Sequence, residues 1–202
     1  MVILAVAGLS LIVASYVFFV LTAVSPQASQ PALPPANTHG AAVGNFQGSA
    51  IGNPAPDFSL ADMQGKTVTL SAMKGKTVVL FFNEGSMCYP SCWNQVKEFA
   101  LDARFNNEKV ETFSIVVDEK GNWEKIAQSF PEYENAKLLF DSTGKVSAAY
   151  GALNMPSSMH GGMMPGHTYY VIDNGGVLRF VFDDPQMGVR NEMIAAEVAK
   201  LA

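Results

Sequence analysis

The segment GSMCYPSCWNQ, residues 85–95, holds the chain's only two cysteines, Cys88 and Cys92. Two thiols four positions apart can cycle between dithiol and disulfide, hold a soft metal ion, or staple a loop. One helical turn separates positions i and i+4, which puts the α-carbons about 6 Å apart, within the reach of a disulfide. A purely structural staple is the weaker reading, because the loop it would close is very short and the entropic gain grows with loop length. A buried, reduced and inert pair is the other bland reading. Gly85, Ser86 and Pro90 argue against it, since they mark an exposed loop. The redox reading depends on what carries the thiols.

TVVLFF, Thr77 to Phe82, is a continuous β-branched and aromatic run that reads as a strand buried on both faces. Beyond the cysteines, Trp93, Val96, Ala100 and Ala103 recur at helical spacing and predict an amphipathic helix reaching about Phe105. A cysteine at the start of that helix meets unpaired backbone N–H groups and the positive end of the helix dipole. Such sites bring a thiol from about 8.5 into the range of roughly 3.5 to 7.5 and make it a thiolate, the attacking species. Pro90 suits a first helical turn.

Short apolar runs and helical stretches then alternate. Strands are predicted at Val110–Val117, around AKLLFD, and as a hairpin of His167–Asp173 with Val177–Phe182 about Asn174-Gly175-Gly176. Helices are predicted after Gly121 and over MIAAEVAKL, and DFSLADMQGKTVTLSAMKGK reads as a leading hairpin turning at Gln64-Gly65. This is an α/β pattern of strands flanked by helices.

Residues 2–24 carry no charge, and an apolar run longer than about 18 residues reads as a membrane-spanning helix. Residues 1–25 are therefore expected to be a single-pass anchor, with a signal peptide cut near Ala23 or Ala28 as the alternative. Residues 26–50, which include His39, are uncharged and rich in Pro, Ala, Gly and Gln, the composition of an extended tether. The catalytic domain is expected over 51–202, on the extracytoplasmic side, where a cysteine pair is not held reduced. With 13 Lys and Arg against 18 Asp and Glu, a net charge of −5 and no basic run, nucleic acid is excluded as a partner.

IGNPAPDFSLADMQGKTVTLSAMKGKTVVLFF and PGHTYYVIDNGGVLRFVF resemble the opening and the closing hairpin of the redoxin branch of the thioredoxin superfamily, the AhpC/TSA or peroxiredoxin-like type. The resemblance covers roughly 51–202 and implies a thioredoxin-like fold, a central mixed sheet flanked by helices. It also implies an antioxidant protein that acts on protein thiols and disulfides or on a small peroxide, with no cofactor required. The P-x-x-x-T-x-x-C signature of the peroxide-reducing members is incomplete: Phe81 and Gly85 stand at its positions for Cys88, Gly85 and Tyr89 for Cys92. His167 stands where the family's activating arginine is expected. What remains is similar to membrane-tethered thiol-disulfide oxidoreductases, with Cys88 attacking and Cys92 resolving. Where thioredoxins place a cis-proline beside the disulfide this chain has His167, expected to face the cysteines, with Pro165 two residues earlier.

NMPSSMHGGMMPGH, residues 154–167, concentrates Met155, Met159, Met163, Met164, His160 and His167 in a Gly, Ser and Pro-rich loop outside the core. One reading makes it a soft apolar lip on which a partner docks. The other makes it part of a Cu(I) site resembling that of Sco-type copper chaperones, built from Cys88, Cys92, His160, His167, Met159, Met163 and Met164. Zinc has too few cysteines here. Trp93 is expected in the core, Tyr89 along the access groove, and Glu84 either as a proton acceptor beside the thiols or as a solvated loop carboxylate. Asp57, Asp118 and Asp183 are expected to cap turns and helices.

Overall fold

A computed structural model describes residues 51–201; the expected anchor at 1–25 and the tether at 26–50, with His39, lie outside the described residues. Among the described residues no helix is long and apolar enough to cross a membrane.

The alternation seen in the sequence folds into one mixed sheet. Its strands are β1 (Ser59–Asp62), β2 (Thr67–Thr69), β3 (Thr77–Phe82), β4 (Val110–Val116), β5 (Leu138–Phe140), β6 (Thr168–Ile172) and β7 (Leu178–Asp183). Their order in space is β2-β1-β5-β4-β3-β6-β7. The helices are α1 (Ser91–Leu101), α2 (Lys120–Ser129), α3 (Lys145–Ala149) and α4 (Asn191–Ala199). The thioredoxin-like architecture implied by the resemblance is present, with predicted strands and helices in place to within a few residues.

All six residues of β3 are buried. Val78, Leu80 and Phe82 face one core with Phe113, Tyr150 and Tyr170. Val79 and Phe81 face the other, with Trp93, Phe99, Trp123 and Tyr169. A strand packed on both faces cannot alternate polar and apolar residues, which is why TVVLFF reads as a continuous run. Burying each of its aromatic side chains contributes on the order of 2 kcal/mol.

β3 runs parallel to β4 and antiparallel to β6, so Phe82 pairs with both Ile115 and Thr168. That register brings the end of β3, the end of β4 and the start of β6 to one edge of the sheet. The leading hairpin closes where Asp62 accepts hydrogen bonds from the backbone of Gln64 and Lys66. The closing hairpin turns on Asp173, which accepts from Gly175 and Val177.

Two expectations are corrected. α1 stops at Leu101, because the Asp102 carboxylate accepts the Arg104 N–H and turns the chain into a 3-10 segment, Ala103–Phe105, that buries Phe105 and exposes Ala103. Met155 belongs to the core and not to the exposed loop: it is buried beside Tyr150 and Phe82 in the first core cluster.

Candidate functional site

After β3 the chain turns through Asn83 and Glu84 into a 3-10 segment, Gly85–Met87, and then into the cysteine loop. Gly85 has φ of 65°, and its N–H is held by the Asn83 side chain. Asp118, just past β4, receives the Ser86 N–H at 2.7 Å, the Ser86 hydroxyl at 2.8 Å and the Trp123 indole N–H at 2.7 Å. A Cβ on residue 85 would lie 1.9 Å from Asp118 Oδ2, so this turn is closed around a glycine. Asp118 therefore ties two strand ends together, and Asp183 likewise binds Ser157 and Thr168. The expected capping role holds for Asp57, which accepts the Ser71 N–H at the start of the 3-10 turn Leu70–Met73.

Cys88 and Cys92 form a disulfide with α-carbons 5.3 Å apart. The sequence places a cysteine at the start of the helix; the structure shows that it is Cys92, at the second position of α1. The reason is the preceding 3-10 turn, which claims the Cys88 N–H for Gly85 O, while Cys88 O accepts the Cys92 N–H. Pro90 is the residue before the helix, joined to Tyr89 by a cis peptide bond; Pro165, buried beside His167, has no such bond. Cys88 is 3% exposed and Cys92 0%, so the expectation of an openly exposed pair is also corrected.

The Phe82–Thr168 register sets His167 beside the pair, with Nδ1 3.6 Å from Cys92 Sγ and Nε2 2.8 Å from the Tyr169 hydroxyl. The imidazole meets the Phe81 ring edge to face at 4.6 Å between centroids. Burial is the main reason its pKa falls from 6.5 to about 4; Asp184 and the Gly188 carbonyl push the other way, and Arg190 adds to the fall. The ring is neutral at pH 7.

Among the described residues, Cys88, Cys92 and His167 are the one group of three such side chains whose potential ligand atoms all lie within 4.8 Å of one another. The structure does not add His160 to that group. His160 Nδ1 is 3.2 Å from Glu84 Oε2, and Glu84 Oε1 accepts the N–H groups of Met159 at 2.6 Å and His160 at 3.1 Å. Glu84 is 1% exposed and serves this loop, which corrects the reading of a solvated carboxylate. Met159 and Met163 are exposed and Met164 is half-buried.

Trp93 packs as expected, its indole N–H on Ser86 O at 3.3 Å and its ring against Trp123, Phe130 and Tyr133. Tyr89 is 70% exposed and stands edge-on to Trp93, on the outer side of the disulfide loop. Gln95 and Tyr169 escaped sequence reasoning. The available signal was a glutamine on the buried face of α1, three residues after Cys92 and four before Phe99.

A family profile described as the AhpC/TSA family matches residues 51–181. The chain is 32% identical over 134 residues to a chloroplastic peroxiredoxin Q of Triticum aestivum, covering 66% of this chain and 58% of that protein's length. The chain thus spans less than two thirds of that relative. Its fold is similar to that of the peroxidoxin BcpB of Mycobacterium tuberculosis, with a TM-score of 0.62, 23% identity, 76% of this chain covered and 99% of the other. It is also similar to a putative protein disulfide isomerase of Bacteroides thetaiotaomicron, with a TM-score of 0.58, 20% identity and coverage of 76% and 90%.

Proposed function

The chain belongs to the AhpC/TSA family, and from that premise we propose that it is a thiol-disulfide oxidoreductase working through Cys88 and Cys92. The family's chemistry resides in cysteine thiols and requires no bound cofactor. The observation that carries the reading is the Cys88–Cys92 disulfide at the strand-end edge, with its inner sulfur beside a buried neutral imidazole. Cys88, the less enclosed sulfur, attacks a substrate disulfide as a thiolate and releases one substrate thiolate. Cys92 then attacks Cys88 Sγ, forming the 88–92 bond and releasing the second. Two electrons pass from the dithiol to the substrate, and an external dithiol reverses the sequence.

Direct reduction of a small peroxide is the secondary form of the same chemistry. A Cys88 thiolate would attack one peroxide oxygen, breaking the O–O bond and releasing the other oxygen as an alcohol or water, and the resulting sulfenic acid would condense with the Cys92 thiol, forming the 88–92 bond and losing water. Phe81, Gly85 and His167 at the positions of the missing signature weigh against it as the main reaction. The deciding measurement is the mass of alkylated protein across redox buffers between roughly −120 and −300 mV. A reversible two-thiol change within that range is expected, and its absence would remove the reading.

Placement belongs to the same proposal. Residues 2–24 act as a single-pass anchor and hold the domain on the extracytoplasmic side, a reading supported by the charge-free run. Reporter fusions at Ala202 test it: an active exported reporter is expected, an active cytoplasmic one overturns it.

The clustering of two thiols with His167 favours one further reading, transport of Cu(I) as cargo by the reduced protein. A neutral imidazole whose potential ligand atom lies within 4.8 Å of both sulfurs is a chemically fitting donor set. Stoichiometric Cu(I) binding by anaerobic reduced protein, lost in His167→Ala, supports that reading; no binding eliminates it.

A further inference from the structure

The Tyr169 hydroxyl, 2.8 Å from His167 Nε2, is also 2.9 Å from Gln95 Oε1 and 3.2 Å from Gly188 O. Gln95 Oε1 accepts the Arg190 backbone N–H at 2.7 Å, and Gln95 Nε2 donates to Asn191 Oδ1 at 2.8 Å. Asn191 Nδ2 in turn donates to Glu98 O at 3.1 Å and to Asp102 Oδ2 at 3.0 Å.

The direction of this chain is set at both ends by groups with no choice. A backbone N–H only donates, so the Gln95 atom facing Arg190 is its oxygen. A backbone carbonyl only accepts, so the Asn191 atom facing Glu98 is its nitrogen. Both assignments agree on the Gln95 orientation. Gln95 Oε1 and Gly188 O can only accept from Tyr169, whose single proton is thereby committed. The phenol oxygen is left as an acceptor for His167 Nε2–H, and a neutral ring protonated at Nε2 carries its lone pair on Nδ1. Nδ1 is the atom that faces Cys92 Sγ.

We propose that Gln95 and Tyr169 are positioning residues that lock His167 in the Nε2–H tautomer, making its Nδ1 the proton acceptor for the Cys92 thiol. The inference rests on the dithiol reading above. When Cys88 carries a substrate sulfur, the Cys92 S–H proton passes to Nδ1 as Cys92 Sγ attacks Cys88 Sγ. The 88–92 bond forms, the bond to the substrate sulfur breaks, and that sulfur leaves with the electron pair and takes up the proton from Nδ1–H or from solvent. A buried thiol with no base beside it would have to lose its proton into an apolar pocket, which is costly. The charged groups that act on the ring, Asp184 and Arg190, are paired with each other at 2.7 Å.

Two measurements test the relay. Imidazole ¹⁵N–¹H correlation spectra of the full chain at pH 7 are expected to show His167 protonated at Nε2 in the wild type, with Nδ1–H populated in Gln95→Leu and Tyr169→Phe. Gln95→Glu, which as a neutral acid reproduces both the acceptor and the donor, is expected to restore the wild-type tautomer. In a single turnover of reduced protein with an aromatic disulfide, the first thiolate released reports Cys88 and the second reports Cys92. The second release is expected to slow on the order of 100-fold relative to the first in His167→Gln, and about tenfold in Tyr169→Phe and Gln95→Leu. A wild-type Nδ1–H tautomer, or equal slowing of both releases, overturns the proposal. No second release in the wild type would instead sink the dithiol reading, and the tautomer spectrum alone would then decide the relay.

Discussion

Cys92 Sγ and His167 Nδ1 stand 3.6 Å apart although 75 residues separate them in the chain. The sheet register produces this: Phe82, at the end of β3, pairs with Thr168, at the start of β6. The residue before β6 and the helix after β3 consequently meet at one edge. A site assembled from strand ends is held by the hydrogen-bond ladder of the sheet and not by the loops alone. Three-residue turns such as Gly85–Met87 then only need to aim the sulfurs.

The two sulfurs are unequal in access, and their variants should behave unequally. Cys92→Ser is expected to accumulate a mixed disulfide at Cys88 when reduced protein is mixed with a small disulfide, because the resolving thiol is gone. Cys88→Ser is expected to form little adduct, since Cys92 has 0% exposure against 3% for Cys88. Intact mass at matched times reads both, and a larger adduct yield in Cys92→Ser than in Cys88→Ser is expected, because exchange depends on access to the attacking sulfur. Equal adduct yields would reverse the assignment of attacking and resolving thiols.

The sheet was legible because its signals are local. TVVLFF, TYYVI and the Gly65 and Gly176 turns announce buried strands and hairpins without reference to anything distant. His167 was legible only through the resemblance, which puts the family's activating residue at this place before the late strand. Glu84, Gln95 and Asp118 were not, because what matters about each is a partner 75, 95 or 32 residues away. Nothing in NEGS tells that its glutamate will be covered by the backbone of residues 159 and 160. Which of the two cysteines opens the helix was not legible for a related reason: a 3-10 segment and the start of an α-helix share the same residue preferences and differ only in which carbonyl the N–H finds.

Gly85→Ala is expected to destabilise the domain by about 2 kcal/mol or more. The added Cβ meets Asp118 Oδ2 at 1.9 Å on a backbone with φ of +65°, so both sterics and conformation oppose it. Asp118→Ala removes the obstacle but leaves the Ser86 and Trp123 donors without their acceptor, so combining the two changes should not restore wild-type stability. Urea unfolding of the oxidised proteins checks this; a Gly85→Ala midpoint equal to the wild type would contradict the close approach.

Glu84→Ala should loosen the methionine and histidine loop without dismantling the sheet. The substitution strips the acceptor from the Met159 and His160 amides and from the His160 ring. Hydrogen exchange at those two amides is expected to accelerate by about one to two powers of ten, in line with a loss of about 1–3 kcal/mol of local protection. Amides of β3 and β6 are expected to keep their protection. Glu84→Gln retains one acceptor oxygen and should fall between. Unchanged exchange at Met159 and His160 would show that the loop is held by something else.

The buried imidazole makes a prediction about stability and pH in the oxidised, metal-free protein. His167 has its native pKa lowered from 6.5 to about 4, chiefly by burial. Between those values the unfolded chain binds a proton at this site and the native protein does not. Unfolding therefore takes up a proton, and stability rises with pH through the window; equivalently, it is fully present above about 6.5 and is lost as pH falls toward about 4. The whole gap corresponds to on the order of 3 kcal/mol. Carboxylates held low by their partners, Asp102 at about 2 among them, lose their contributions only at lower pH, so the interval from about 5 to 6.5 reports His167. Urea unfolding free energies of the wild type are expected to fall across that interval as pH is lowered, and those of His167→Gln to fall less steeply. Parallel slopes for the two proteins would mean that the ring is hydrated in solution, and its burial between Phe81 and Cys92 would have to be abandoned.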